Sequence, residues 1–331
     1  MDVYPIVTSP TPLQRLDRMS DHFGLEVFIK RDDLAGPSLG GNKSRQLQYY
    51  FGDALAQGAD TILITGAVQS NFVRLAAAVA NRVGMACIVQ LEKRVATKSP
   101  FYATSGNVLL NHILGAEIMT YPEGEDEAGA DRSLTARAEA LRAEGRTPYV
   151  IPLGEGHPPL GALGYVDAAR EILEERDDFD AFVVGSGSGA THAGLVAGVR
   201  GVGHSAAVYG SCVRRPAEAQ GPRIARIVAR LAELYDGAAQ VEAEDIRVWD
   251  GALAPGYGEV GPKALAAMTL MARLEGLIVD PVYTAKSFAA IPALVEDGTL
   301  PKGSRVCFVH TGGLAGVFAY EDTLSELLCA S

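Results

Sequence analysis

The sequence has no long apolar run. No stretch approaches the roughly 20 consecutive apolar residues that a membrane-spanning helix needs. It also lacks a basic excess. Its 331 residues carry 29 Lys and Arg against 40 Asp and Glu, a formal net charge of −11. That balance disfavours nucleic acid or an anionic membrane as a partner. An anionic small molecule remains compatible, because local backbone dipoles can outweigh global charge. Cysteine is scarce: Cys87, Cys212, Cys307 and Cys329 lie far apart and form no CxxC pair. This argues against a disulfide framework or a zinc site and for free thiols in a reducing compartment. The histidines show no metal-ligand spacing, so no metal is expected. No nucleophile elbow comes with matching His and Asp partners, which leaves a serine hydrolase unsupported. Residues 1–16 lack the basic region and apolar core of a signal peptide. A soluble cytoplasmic chain is expected.

What is present is alternation. Short apolar runs at 26–30, 61–65, 86–91, 117–121, 148–151, 181–185, 206–211 and 305–310 read as strands. Helical patterns lie at 44–57, 70–83, 107–114, 134–144, 160–175, 191–199, 262–275 and 287–296. Such alternation predicts α/β architecture with mostly parallel, helix-flanked sheets. On a prior of about 150 residues per domain, the length suggests two domains or one large one. The Gly/Pro cluster from Gly154 to Pro159 suggests a boundary near residue 155. The acidic stretch 122–131 reads as a surface loop.

Five segments carry chemistry. In Gly40-Gly41-Asn42-Lys43-Ser44-Arg45, two glycines permit close backbone approach to a ligand, and Lys43 opens a helix. The positive helix end favours a neutral amine, the form that Schiff-base chemistry requires. The plain alternative is a turn followed by a surface lysine. Gly185-Ser186-Gly187-Ser188-Gly189-Ala190-Thr191 follows a strand and precedes a helix, an arrangement that cradles anions. It matches neither the Walker loop nor the dinucleotide fingerprint, leaving a phosphate monoester or an ordinary βα turn. Gln69, Ser70 and Asn71 stand at another strand–helix junction, where open α/β sheets place ligands, although Ser70 could simply cap the helix. Asp280-Pro281-Val282-Tyr283-Thr284 is a turn into a helix, and Thr284 could be only its cap. His310-Thr311-Gly312-Gly313-Leu314 is a second glycine-rich turn after a strand.

In their order along the chain, these segments resemble the tryptophan-synthase-β-like (fold type II) enzymes that use pyridoxal 5'-phosphate (PLP). The nearest likeness is to the D-cysteine desulfhydrase and 1-aminocyclopropane-1-carboxylate (ACC) deaminase family. It runs from Thr11-Pro12-Leu13 to Phe318-Ala319-Tyr320. It includes Lys30-Arg31-Asp32-Asp33, Gly161-Ala162-Leu163-Gly164-Tyr165 and Ala254-Pro255-Gly256-Tyr257-Gly258. The resemblance implies two α/β domains with the cofactor between them: residues 1–44 with 156–331, and a smaller domain of 45–155. It implies a homodimer. It makes Lys43 the lysine that carries PLP and Gly187, Ser188, Gly189, Ala190 and Thr191 the phosphate loop. Asn71 would meet the pyridine hydroxyl, and Ser70 would sit by the substrate carboxylate and relay a proton. Tyr283 would pack by the ring, with Tyr257 on the substrate side. Gln69, Phe72, Gly313 and Leu314 complete the implied substrate pocket.

Thr284 stands where the pyridine nitrogen would find its partner. ACC deaminases carry glutamate there. A hydroxyl can only hydrogen-bond a neutral nitrogen, a weaker electron sink that suits β-elimination better than ring opening. Other positions depart from the desulfhydrase pattern. Phe72 replaces the usual histidine, Gln46 and Gln48 replace a lysine and a glutamate, and Leu314 follows the ACC deaminase pattern. A pocket lined by Phe72 and Leu314 favours a more apolar substrate. The expected activity is a PLP-dependent carbon–sulfur lyase acting on an amino acid, with D-cysteine first and L-cysteate close behind. ACC deamination and a biosynthetic β-replacement are the alternatives.

Overall fold

The computed structural model describes residues 2–97, 99–153 and 157–329. Its strands are β1 (Leu13–Arg15), β2 (Glu26–Lys30), β3 (Thr61–Ala67), β4 (Ala86–Glu92), β5 (Glu117–Tyr121), β6 (Pro148–Ile151), β7 (Ala181–Ser186), β8 (Ala207–Cys212), β9 (Arg247–Trp249) and β10 (Arg305–Val309). They form two sheets, ordered β1-β2-β10-β7-β8-β9 and β5-β4-β3-β6. Only β1 runs antiparallel to its neighbour; every other pairing is parallel. The expected mostly parallel sheets flanked by helices are therefore present. The joint at 154–156, where the sequence suggests a boundary, lies outside the described residues.

Both sheets are covered on both faces, which explains why their strands read as continuous apolar runs. Side chains alternate between faces along a strand. Val27 and Ile29 enter one core with Val183, Phe288 and Phe308. Phe28 points the other way, into a core with Tyr165, Phe182 and Val196. In the second sheet, Ile62 and Ile64 pack with Val73 and Val89, whereas Leu63 meets Ile88 and Leu134 on the opposite face.

The structure departs from the sequence reading in several places. A helix, Glu127–Ala143, begins inside the expected acidic loop. Asp126 caps it by accepting the Gly129 N–H at 2.8 Å. An acidic residue beside a helix N-terminus is itself a start signal. The helix Ala217–Leu231 lies where the sequence reading placed none and carries Pro222 within it; Ile224, Ile227, Val228 and Leu231 bury its apolar face. The segment expected as one helix at 287–296 forms two, Thr284–Phe288 and Ala290–Glu296.

A buried ionic cluster fixes the start of the helix Lys43–Ala56 against the first sheet. Arg45 donates to Asp32 at 2.9 Å and to Glu171 at 2.8 Å. The hydroxyls of Tyr165 and Thr11 donate to Asp32 at 2.6 and 2.7 Å. Burial alone would raise the Asp32 carboxyl. Arg45 and the two hydroxyls outweigh that effect and hold it below its ordinary value. Several motif residues thus act structurally, by anchoring the turn that presents Lys43.

Candidate active site

One cleft of about 830 Å³, counting its open mouth, collects segments that follow strand C-termini in both sheets. Ser70 and Asn71 come after β3, Arg94 after β4, Gly187–Gly189 after β7, Arg214 after β8 and Gly312 after β10. Ligands of open parallel sheets bind at such ends. Lys43 lines the same cleft as the first residue of its helix.

Lys43 Nζ lies 5.1 Å from the centre of the Phe72 ring and donates to Gln46 Oε1 at 3.2 Å. Burial pushes the amine down to about 8. The surroundings disfavour the ammonium, as a lysine that must attack a carbonyl requires.

Thr191 Oγ1 accepts from Asn42 Nδ2 at 2.8 Å and from Gln46 Nε2 at 2.7 Å. Both lone pairs are then used, which leaves its O–H to donate into the cleft. Gly189 starts the helix Ala190–Gly201 with φ +108°, and a Cβ there would lie 2.6 Å from Ile227 Cδ1. Gly187, Ser188, Gly189 and Thr191 all line the cleft, whereas Ala190 lines an adjoining hollow. This is a cradle shaped by missing side chains, at a helix N-terminus.

Ser70 caps the helix Asn71–Arg82 by accepting from Val73 N at 3.3 Å and also lines the cleft, so both of its readings are compatible. Asn71 Oδ1 accepts from Asn107 Nδ2 at 3.0 Å. That contact turns the amide so that Nδ2 is left without a protein acceptor among the described residues. Tyr257 and Tyr283 share a hydrogen bond between their hydroxyls at 2.5 Å. Burial and the Tyr257 neighbour push Tyr283 well above its ordinary value, so it keeps its proton.

Besides Ala190, four expected site residues lie outside the cleft lining. Gln69 spends its amide on the backbone of the 102–107 segment, donating to Tyr102 O at 2.7 Å and accepting from Asn107 N at 2.9 Å. Leu314 is 39% exposed and does not line the cleft with Phe72; it begins a helix whose inner face is Ala315, Gly316 and Ala319. Gly313 serves packing, since a Cβ there would lie 2.4 Å from Asp280 Oδ2. Thr284 is fully buried, and its hydroxyl donates to Asp280 Oδ2 at 2.6 Å while accepting the Asp280 N–H at 2.7 Å.

The sequence reading missed Arg94 and Arg214, both of which line the cleft. The available signal was their position: each follows a parallel strand by two residues, within the basic pairs Lys93-Arg94 and Arg214-Arg215.

A buried amine with a lowered pKa, a glycine cradle with a spare hydroxyl donor and an unclaimed amide N–H together fit PLP. Comparison with known proteins agrees. Residues 6–312 match the family model described as pyridoxal-phosphate dependent enzyme. The chain belongs to this family. It is similar to a D-cysteine desulfhydrase of Klebsiella pneumoniae, 40% identical over 322 residues, 96% of each chain. A D-cysteine desulfhydrase of Yersinia enterocolitica is 41% identical over 95% of this chain and 94% of its own. A crystal structure of an ACC deaminase homologue superposes with TM-score 0.87 at 34% identity, over 99% of this chain and 96% of the other. An O-ureido-L-serine synthase shares the fold at TM-score 0.68 and 18% identity, over 98% of this chain and 97% of the other.

Proposed function

We propose that this enzyme eliminates the β-substituent of an amino acid and releases pyruvate and ammonia, with D-cysteine as its first substrate and sulfide as the third product. The observation that carries the proposal is the Lys43 amine, lowered to about 8 within a cleft that also holds a phosphate cradle. The activity named for the Klebsiella and Yersinia relatives supports D-cysteine. In the family that the sequence resembles, ACC deaminases carry glutamate at the position of Thr284; Thr284 supplies no such carboxylate, and its hydroxyl is spent on Asp280, which favours elimination over ACC opening.

Bound PLP supplies an electron sink that acidifies the α-proton of an attached amino acid. The Gly187–Gly189 turn and the Thr191 hydroxyl would hold its phosphate, and the Asn71 Nδ2 would be available to its ring hydroxyl. The N-terminus of the helix Asn71–Arg82, with Ser70, receives the substrate carboxylate. The Lys43 amine takes the α-proton, which its lowered basicity allows near neutral pH. Tyr283 keeps its proton and shares a hydrogen bond with Tyr257, so the pair can offer an O–H to the departing sulfur as a hydrogen-bond donor. Phe72 presents an apolar wall beside Lys43 and limits water there.

The proposal extends to organisation. Residues 45–155 form the smaller of two domains. The enzyme is a cytoplasmic homodimer. The helix Gly106–Ile113 packs against Leu314–Ala319, and together they expose Leu109, Ile113, Leu314 and Phe318. Exposed apolar side chains on two packed helices suit a subunit contact. Among the described residues, no helix is long and apolar enough to cross a membrane.

The test is to incubate the PLP-loaded protein with D-cysteine and measure sulfide and pyruvate. Equal yields of both are expected, and Lys43→Ala should give neither. If D-cysteine and every other β-substituted alanine fail to yield pyruvate, the elimination reading is wrong.

A further inference from the structure

The tyrosine pair of the cleft is held by a side chain outside it. Tyr257 sits in the loop between β9 and the helix Pro262–Glu275. Among the described residues, three hydrogen bonds tie positions 251–260 to distant parts of the chain. One joins the Tyr257 and Tyr283 hydroxyls. The other two come from Lys286 Nζ, which donates to Leu253 O at 3.0 Å and to Gly256 O at 2.6 Å. The loop's remaining bonds are local turns, from Leu253 N–H to Asp250 O at 2.9 Å and from Glu259 N–H to Gly256 O at 3.3 Å. A hollow of about 290 Å³, counting its open mouth, adjoins both tyrosine rings, so close packing alone does not fix Tyr257.

Both anchor points belong to one element. Tyr283 precedes the helix Thr284–Phe288, and Lys286 lies about one turn further along it. That helix is itself fixed to the first sheet. Ser211 Oγ, near the end of β8, donates to Lys286 O at 2.9 Å, and Ala285 and Phe288 enter the core of that sheet. Lys286 is fully buried and lines neither the cleft nor the hollow. Lys30, the other fully buried lysine, pairs with Glu171 at 2.6 Å, whereas Lys286 meets no carboxylate at ion-pair distance among the described residues. Burial pushes its amine down to about 8. A buried amine held by carbonyls alone is a poor source of stability, since an apolar side chain of similar volume avoids its desolvation. What the amine adds is direction: N–H donors that hold two carbonyls, one on each side of Ala254-Pro255.

We propose that Lys286 is a positioning residue for the leaving-group step, holding the Leu253–Gly256 turn so that the Tyr257 hydroxyl meets the Tyr283 hydroxyl beside the departing sulfur. This rests on the β-elimination reading above and adds a residue that acts on the step from outside the cleft. Lys43 takes the α-proton of D-cysteine, the Cβ–S bond breaks, and its electron pair leaves on sulfur. That sulfur gains from a hydrogen bond as its negative charge grows. Chloride leaving the same carbon is a much weaker base and needs little such help. Without the Lys286 amine, two carbonyls lose their donors and the turn shifts to find others. Tyr257 then loses its place, while Lys43 and the phosphate cradle keep theirs.

The test compares D-cysteine with 3-chloro-D-alanine on the PLP-loaded wild type and Lys286→Met, following pyruvate. Lys286→Met should lower kcat for D-cysteine about 10-fold or more, the size of one lost charge-assisted hydrogen bond, but kcat for 3-chloro-D-alanine by less than about threefold. KM for D-cysteine should stay within about threefold, because Lys286 touches no substrate. In a Tyr257→Phe background, Lys286→Met should cost less than about twofold further. Retained visible absorption of the bound cofactor certifies the fold of each variant. Hydrogen exchange on the cofactor-free proteins reads the tether directly: the Leu253 and Glu259 amides should exchange at least about 10-fold faster in Lys286→Met, with β3 and β7 unchanged. Equal losses for both substrates, additive losses in the double variant, or unchanged exchange overturn the proposal. If the substitution prevents folding, wild-type exchange decides: those two amides should be protected at least about 100-fold, and exchange at the rate of an unstructured chain overturns the tether. If neither substrate yields pyruvate, the elimination reading fails, and the exchange comparison still judges the tether.

Discussion

The titration of Lys43 can be worked out from its surroundings. Burial lowers this amine from 10.5 to about 8. It faces an aromatic ring and a neutral amide, Phe72 and Gln46, and burial is the whole cause of the shift, so no nearby carboxylate restores the charge. At pH 7 about one molecule in ten then carries the free amine, against about one in three thousand for an ordinary lysine, a gain of roughly 300-fold in nucleophile. In cofactor-free protein, the rate at which added PLP develops its visible band should rise with pH and level off slightly above pH 8. Gln46→Glu places a carboxylate about 3 Å from Nζ. An opposite charge at that range raises a lysine by about 1 to 3 units. The plateau should move toward pH 10 and capture at pH 7 should slow by about 10-fold or more. Gln46→Met removes the same amide contacts, including the one to Thr191, without adding charge, and should leave the plateau near pH 8. Stopped-flow absorbance across pH 6 to 10 measures all three proteins. A wild-type rate still climbing past pH 10, or a Gln46→Glu plateau that does not move, would refute the reasoning.

Three further outcomes follow from the same geometry. Arg45→Met strands the buried Asp32 carboxylate and should remove about 3–5 kcal/mol of stability in urea denaturation, because a broken buried pair leaves an uncompensated charge; a loss below about 1 kcal/mol would show that the cluster is not an anchor. Because the Asp32 value is depressed in the fold, its contribution is present above the ordinary carboxylate range and fades as pH falls through the folded value, so the difference between wild type and Arg45→Met should shrink in acid. Gly189→Ala forces a side chain into the left-handed region and against Ile227, and equilibrium dialysis should show PLP held about 10-fold more weakly or worse. Tyr283→Phe should keep the cofactor band while kcat for D-cysteine falls about 100-fold or more, and a kcat within twofold of wild type would remove Tyr283 from the leaving-group step.

Much of this was legible in the sequence because the fold is built from strands buried on both faces. In β3, every residue from Thr61 to Ala67 is buried, so the run of apolar residues stands out. Junctions such as Gly187–Thr191 are legible for a related reason: glycine and hydroxyl residues between an apolar strand and an apolar helix have few other uses. The sequence failed where a residue's partner lies far along the chain. Gln69 reads as a polar side chain at a strand end, yet its amide is consumed by backbone more than 30 residues away. Arg94 and Arg214 each read as a solvated charge after a strand. Their common cleft exists only because the ends of β4 and β8, in different sheets, converge on it. The helix Ala217–Leu231, with Pro222 inside it, was missed although its apolar spacing was intact.

The charge balance shows how composition and site can point in opposite directions. A chain with formal charge −11 should repel anions at long range. Screening confines that repulsion to about 8 Å at physiological salt. Inside the cleft the lining charges decide, and these are Arg94, Arg214 and the cationic form of Lys43, with Glu92 and Glu127 paired to the arginines and Arg215 and Arg223 behind the phosphate turn. Helix N-termini at Asn71 and Ala190 add to the same sign. The acidic exterior therefore does not work against an anionic cofactor; it discourages polyanions too large to enter. A small doubly charged molecule passes from a region where its charge is screened into one where backbone and arginine groups replace its water. Affinity for PLP should accordingly fall with salt only weakly, whereas association with a long polyanion such as heparin should be undetectable in the same buffer. A steep salt dependence of PLP affinity would mean that surface charge, not the cleft, governs its capture.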